Sequence, residues 1–123
     1  MTWLPSDHQL HSMALAFLHR MTTAILEADG ELSPSELVFL DQEFPAHKLV
    51  MAGFLRPTTS GYTFAYYQAF ARAFAELPGR LESAERASLF GQLTRAATSS
   101  GGDITVDEHE LLAAVKAWLA GGH

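Results

Sequence analysis

The sequence predicts an all-α fold, a single-domain bundle of about six helices with an internal helix–loop–helix pseudo-repeat. Three observations predict it: apolar residues recur at steps of three and four along most of the chain, capping residues stand where these patterns begin, and no segment alternates like a strand. The 123 residues are 48% hydrophobic and 18% charged, which is typical of one folded domain spanning residues 1–123.

The first two helices are predicted by their ends as well as by their apolar faces. Residues 6–9 form a capping-box pattern for the first helix, and Gly30 is expected to end it near Ala28 or Asp29. The second helix begins at Ser33-Pro34-Ser35-Glu36, which combines a hydroxyl at the N-cap, proline at N1 and glutamate at N3. The face expected to be buried comprises Leu37, Leu40 and Phe44.

Four further helices follow. A short apolar helix is expected over 45–55, ended by the loop at 56–61, and a fifth helix over about 81–98. Between them a helix ends at Pro78-Gly79 and carries a stripe that we expect to be core, namely Phe64, Tyr67, Phe70, Ala71, Phe74 and Leu77. The sixth helix is capped by Thr105-Val106-Asp107-Glu108 and faces inward through Leu111, Leu112, Val115 and Leu119.

Composition excludes several classes of function. The formal net charge is −6 and the eight Lys and Arg are scattered, which argues against nucleic-acid binding and favours cations or basic partners. Without cysteine there is no disulfide, zinc-thiolate site or cysteine nucleophile. The beginning of the chain lacks a secretion signal and no apolar run is long enough to span a membrane, so we expect a soluble cytoplasmic protein.

Two stretches of the chain share one local pattern, a turn glycine followed by an apolar residue, a hydroxyl and a glutamate. The matching pairs lie 72 positions apart: Gly30 and Gly102, Leu32 and Ile104, Ser33 and Thr105, Glu36 and Glu108. A pair in register indicates a duplicated helix–loop–helix. It points to a loop that carries carboxylates rather than to a catalytic centre.

Two explanations of these glutamates remain open. Each completes a capping box and favours the helix dipole, which needs no ligand. Alternatively, Gly30 at position 6 of an EF-hand loop puts Glu36 at position 12, although Ile25 at position 1 offers no side-chain oxygen. The second loop matches less well, so the EF-hand alternative is a degenerate divalent-metal binder or sensor.

The string Ala28-Asp29-Gly30-x-Leu32-x-x-x-Glu36, between two helices, resembles the signature of TerB-like domains, the tellurite-resistance family. The resemblance implies an all-helical, internally duplicated, cytoplasmic stress-response module whose acidic loop residues bind metal ions or partners. It marks Asp29, Glu36 and Glu108 as candidate metal ligands, and Glu31 and Asp103 are further candidates. The chain departs from the family pattern at Gly101, where the second half lacks the aspartate.

No catalytic motif is present: the chain has no Gly-x-Ser-x-Gly, Walker A or dinucleotide fingerprint. A small enzyme using His8, His11 or His47 with a carboxylate is a third interpretation, and it requires a pocket lined by those groups. We therefore expect a non-enzymatic module, without catalytic residues, that binds a protein partner or a divalent cation through the loop at 29–36. Homodimerisation through the tyrosine-rich middle (Tyr62, Tyr66 and Tyr67) is an additional option.

Overall fold

The computed structural model describes residues 4–28, 30, 32–57, 61–98 and 105–121. These residues form six helices: α1 (His8–Glu27), α2 (Pro34–Glu43), α3 (Ala46–Met51), α4 (Phe64–Arg80), α5 (Ser83–Ala97) and α6 (Val106–Leu119). In the described ranges the only pairing of extended backbone is an isolated antiparallel bridge between Leu55 and Tyr62. The predicted all-α bundle is confirmed.

Helix α1 is the central element of the bundle. It packs most extensively against α4 and α5, and it also contacts α2 and α6. Every residue from Met13 to His19 is buried, so α1 is enclosed on all sides over two turns rather than on one stripe. Within the described part of the chain, no helix combines the length and apolar character needed to cross a bilayer.

Local signals predicted most of the helix ends, but those of α1, α3 and α4 differ from the prediction. The N-cap of α1 is Asp7 rather than Ser6: Asp7 Oδ1 accepts hydrogen bonds from the backbone N–H groups of Gln9 at 3.0 Å and Leu10 at 3.1 Å. Helix α3 is shorter than the predicted 45–55 because Gly53, with φ of +80°, turns the chain after Ala52.

Helix α4 continues through the predicted stop at Pro78-Gly79 and ends at Arg80. Proline has no N–H, so Pro78 cannot donate to the carbonyl of Phe74 one turn earlier. The indole Nε1–H of Trp118 on α6 donates to that carbonyl instead, at 2.8 Å. A side chain from the last helix therefore satisfies the backbone group that the proline leaves unpaired.

The predicted stripe of α4 is the core face only in part: Leu77 is fully buried and Phe70 is partly buried against the core. Phe64 is 78% exposed and Phe74 57% exposed, and the residues that α4 buries are Tyr66, Ala73, Leu77 and Pro78. Spacing shows which residues share a helical face, but it does not show which face the neighbouring helices cover. At the beginning of α4 the buried tyrosine is Tyr66 rather than Tyr67, and its hydroxyl contacts His19 of α1.

Candidate functional site

The turn that joins α1 to α2, residues 28–36, is called the first elbow below. Ala28 caps the C-terminus of α1, and the backbone N–H of Gly30 donates to the carbonyl of Glu27 at 3.0 Å. Gly30 has φ of +127°, a conformation that residues with a side chain rarely adopt. The helix therefore ends where the sequence predicts, and a short turn leads to Ser33.

A capping box begins α2 as predicted. The backbone N–H of Ser33 donates to Glu36 Oε1 at 2.8 Å, and the N–H of Glu36 donates to Ser33 Oγ at 3.3 Å. Residues 98–108, which link α5 to α6, are called the second elbow, and the same capping box is found at its end: Thr105 N–H donates to Glu108 Oε1 at 2.9 Å, and Glu108 N–H to Thr105 Oγ1 at 3.2 Å. Both glutamates are buried at 5% exposure. Each therefore has a structural role in starting its helix.

The predicted metal site is not tested by this geometry. Asp29, Glu31 and Asp103 lie outside the described residues, and so does Gly101. Among the residues that are described, no three His, Cys, Asp or Glu side chains come together as a possible metal site. A site built from Asp29, Glu36 and Glu108 stays a prediction.

An apolar groove of about 410 Å³ lies beside the first elbow, between α1, α2 and the segment that leads from α3 to α4. Its apolar lining comprises Leu32, Leu37, Leu40, Phe44, Ala46, Leu49 and Leu55. The polar groups that line it are His19, Thr23, Glu27, Asp41 and the ring of Tyr62. The carboxylates of Glu27 and Asp41 belong to exposed residues, so they form an acidic rim around an apolar floor.

Leu37 departs from the sequence prediction. We expected it in the buried face of α2, but it is 53% exposed, and its neighbour Val38 is 56% exposed. Of the predicted face, Phe44 is buried and Leu40 partly buried. The bundle covers only the side of α2 that carries Glu36 and Glu43, which leaves an apolar surface at the edge of the groove.

A buried carboxylate fixes the position of α2. Glu43 forms an ion pair with Arg95 of α5, and Gln92 Nε2 donates to Glu43 Oε1 at 3.2 Å. The Arg95 guanidinium also lies 6.0 Å from the ring centre of Phe39. Because charge-assisted hydrogen bonds have strong geometric preferences, this ion pair holds one face of α2 against α5. The opposite face of α2 remains exposed.

A polar cluster of three aromatic side chains lies below the groove. His19 Nδ1 is 2.8 Å from the hydroxyl of Tyr66, and His19 Nε2 is 3.4 Å from the hydroxyl of Tyr62. Each ring nitrogen of His19 therefore faces a tyrosine hydroxyl, one from α4 and one from the segment just before α4.

His19 is neutral near pH 7. Burial, with a smaller contribution from the Arg20 guanidinium, lowers the pKa of His19 to about 4. Burial also raises the pKa of Tyr66 above its ordinary value. Arg20 itself lies outside the groove and faces the neighbouring cavity of about 220 Å³, with its guanidinium 5.8 Å from the ring centre of Tyr67 and 5.4 Å from that of Phe70.

Sequence reasoning missed this cluster. His19 was not among the histidines that the sequence singled out, and it is buried. The sequence feature that could have predicted the burial of His19 is its place in the long apolar run of α1, between the buried residues Leu18 and Thr22. His8 and His11 do line a pocket of about 360 Å³, yet no carboxylate and no other histidine is among its described lining residues. The required pairing with a carboxylate is therefore not found in that pocket.

A cavity of about 730 Å³ lies between α4 and α6. Its lining is formed by Phe74, Ala75, Pro78, Gly79, Ala114, Ala117 and Trp118. None of these side chains is titratable, so the cavity offers no charge by which a ligand could be identified. The groove beside the first elbow is smaller, but it combines apolar floor, exposed edge and fixed negative charge.

No family model, curated protein or solved structure matches this chain.

Proposed function

We propose that this chain is a non-enzymatic, TerB-like stress-response module that binds a protein partner or a divalent cation through the first elbow. The resemblance at residues 28–36 supports the family and a cytoplasmic location. The buried capping role of Glu36 accounts for this carboxylate without a ligand, so the geometry favours the protein partner over the cation.

One observation carries the proposal: exposed apolar side chains occur on α2 where the other half of the pseudo-repeat has polar ones. Leu37 and Val38 are more than half exposed, and the residues 72 positions later are His109 and Glu110. Both capping boxes form equally well, so the cap does not require apolar residues at these positions. A surface that binds a partner does require them.

The partner proposal is tested by site-specific photo-crosslinking. A photo-reactive phenylalanine derivative replaces Leu37 in one sample and His109 in the matched control. Both residues are exposed, and each is the fourth residue after the N-cap of its helix. We expect a discrete crosslinked product from position 37 and none from position 109. Equal crosslinking from both positions, or none from position 37, would contradict the proposal.

The cation proposal, with the degenerate EF-hand-like sensor as its alternative, is tested separately. Calorimetry with calcium, magnesium, manganese and zinc should give a heat of binding that Asp29→Asn, Glu36→Gln and Glu108→Gln each reduce. Glutamine retains the capping box, so these variants remove charge without removing the helix start. Absence of heat up to millimolar cation would eliminate the metal sensor and leave the protein partner.

A further inference from the structure

We infer that the groove beside the first elbow binds an amphipathic helix that carries lysine or arginine residues next to its apolar face. This inference rests on the proposed function, because it names the chemistry of the partner at the same surface.

The charge of the groove is negative. Glu27 on α1 and Asp41 on α2 are the charged side chains among its described lining residues, and His19, which also lines it, is uncharged near pH 7. Arg20, which is next to His19 in the sequence, faces the neighbouring cavity and lies over aromatic rings. A lysine or arginine at the rim would therefore meet carboxylates from two sides.

The floor of the groove is apolar and continuous with an exposed edge. Leu40, Leu49 and Leu55 line the floor, and Leu37 stands at the edge with half of its surface exposed. Val38, beside Leu37, extends the apolar surface outward along α2. Side chains at i, i+3, i+4 and i+7 of a partner helix would cover such a surface, as in other helix-in-groove complexes.

An extended partner strand fits less well. Strand addition needs a sheet edge with unpaired backbone groups, and in the described ranges the extended backbone amounts to the single bridge between Leu55 and Tyr62. A helix satisfies its own backbone hydrogen bonds and needs only side-chain contacts. The occupant that suits this groove is therefore helical.

A second copy of this chain is disfavoured as the occupant. Each copy carries a formal charge of −6, and the groove itself is acidic, so two copies would repel each other at this surface. A basic partner gains from the same charge. Charge complementarity thus favours a basic partner over a second copy of the chain.

The test uses the full chain and synthetic peptides of about 18 residues, or about five helical turns. The first peptide has leucines at the four apolar positions, flanked by lysines; the second has glutamates in place of the lysines; the third has the composition of the first in scrambled order. Binding is measured by fluorescence anisotropy at low and at physiological salt. We expect the first peptide to bind more tightly than both others.

Variants then locate the binding surface. Leu37→Ser should weaken binding of the lysine peptide about tenfold, since it removes an apolar contact at the edge of the groove. The double variant Glu27→Gln with Asp41→Asn should weaken it about fivefold and reduce its salt dependence. The matched control His109→Ser, at the corresponding position of α6, should leave the affinity unchanged.

Each contrary outcome identifies what is wrong. Equal binding of the ordered and scrambled lysine peptides would show unspecific charge attraction and overturn the inference. A dimer in sedimentation that Leu37→Ser dissociates would assign the groove to a second copy and also overturn it. Crosslinking from position 37 without binding of the lysine peptide would leave the proposed function standing and reject this partner chemistry.

Discussion

The helices that follow the two elbows, α2 and α6, begin with the same pair of reciprocal hydrogen bonds. In the first elbow the two hydrogen bonds between Ser33 and Glu36 measure 2.8 and 3.3 Å. In the second, those between Thr105 and Glu108 measure 2.9 and 3.2 Å. Both glutamates are equally buried. A feature that the two elbows share to this degree is explained by helix capping, so the glutamates alone do not identify a binding site.

The residues that follow the two caps differ. In α2 the next positions are Leu37 and Val38, exposed and apolar, whereas α6 has the exposed polar residues His109 and Glu110. The first elbow also borders the acidic-rimmed groove above His19. The comparison teaches that capping explains what the halves have in common, and that function is to be sought where they differ.

The largest expected effect concerns the buried histidine under the first elbow. His19 has a folded pKa of about 4 against an ordinary value of 6.5, so between these two values the unfolded chain binds more protons than the folded chain. Stability should therefore fall as pH is lowered from about 6.5 to 4, by on the order of 3 kcal/mol from this group. Urea unfolding at pH 7, 5.5 and 4.5 measures it.

His19→Gln is the control for the pH effect. Glutamine can still bond the Tyr66 hydroxyl but does not titrate, so the variant should lose less stability on acidification than the unmodified chain. Its absolute stability at pH 7 is not compared, only the change with pH. Parallel pH profiles for the two proteins would show that His19 does not control the acid response.

The capping boxes should give the next largest effect. Ser33→Ala and Thr105→Ala each remove the hydroxyl that accepts from the N3 backbone N–H, and each should lower the free energy of unfolding by about 1 kcal/mol. Denaturant melts of the two variants check the equivalence of the two elbows. A loss at one elbow only would mean that the caps are not energetically equivalent, contrary to the comparison.

The exposed apolar residues of α2 should matter little for stability. Leu37→Ser and Val38→Ser are each expected to change the free energy of unfolding by less than about 0.5 kcal/mol, since the side chains are more than half exposed. His109→Ser is the matched substitution on α6. A loss above about 2 kcal/mol from Leu37→Ser would indicate a core role rather than a binding role.

Neutralising the capping glutamates should also lower stability. Glu36→Gln and Glu108→Gln retain the reciprocal hydrogen bonds and lose only the favourable charge near the helix N-terminus, worth about 0.3–1 kcal/mol at the surface and up to about 2 kcal/mol where the carboxylate is buried, as both are here. Thermal melts at low salt compare them. Unequal losses would indicate that one carboxylate has a further charged partner.

Local interactions made the helix ends predictable. The box at Ser33 and Glu36 is formed within four residues, so its sequence signal did not depend on the rest of the fold. The buried face of α2 could not be predicted in this way, because Leu37 is exposed only as a result of where α1 and α5 lie. The burial of His19 likewise depends on Tyr66, which is 47 positions away in the sequence.

The candidate site was predictable only in part for the same reason. Residues 28–36 stood out through their repeated pattern, but the groove beside them also needs Leu49, Leu55 and Tyr62 from a segment without any such signal. The aromatic stripe of α4 shows the limit most clearly: the helical spacing was right, yet Phe64 and Phe74 lie on the exposed side.

The central claim is that the first elbow binds a partner while the second only starts a helix. The most direct measurement is a map of backbone amide chemical shifts in the full chain during titration with the lysine-bearing amphipathic peptide. The account predicts saturable changes in α2 and around Leu55 and Tyr62, with none at the start of α6. Changes at Val106 to Glu110 as large as those in α2 would contradict it.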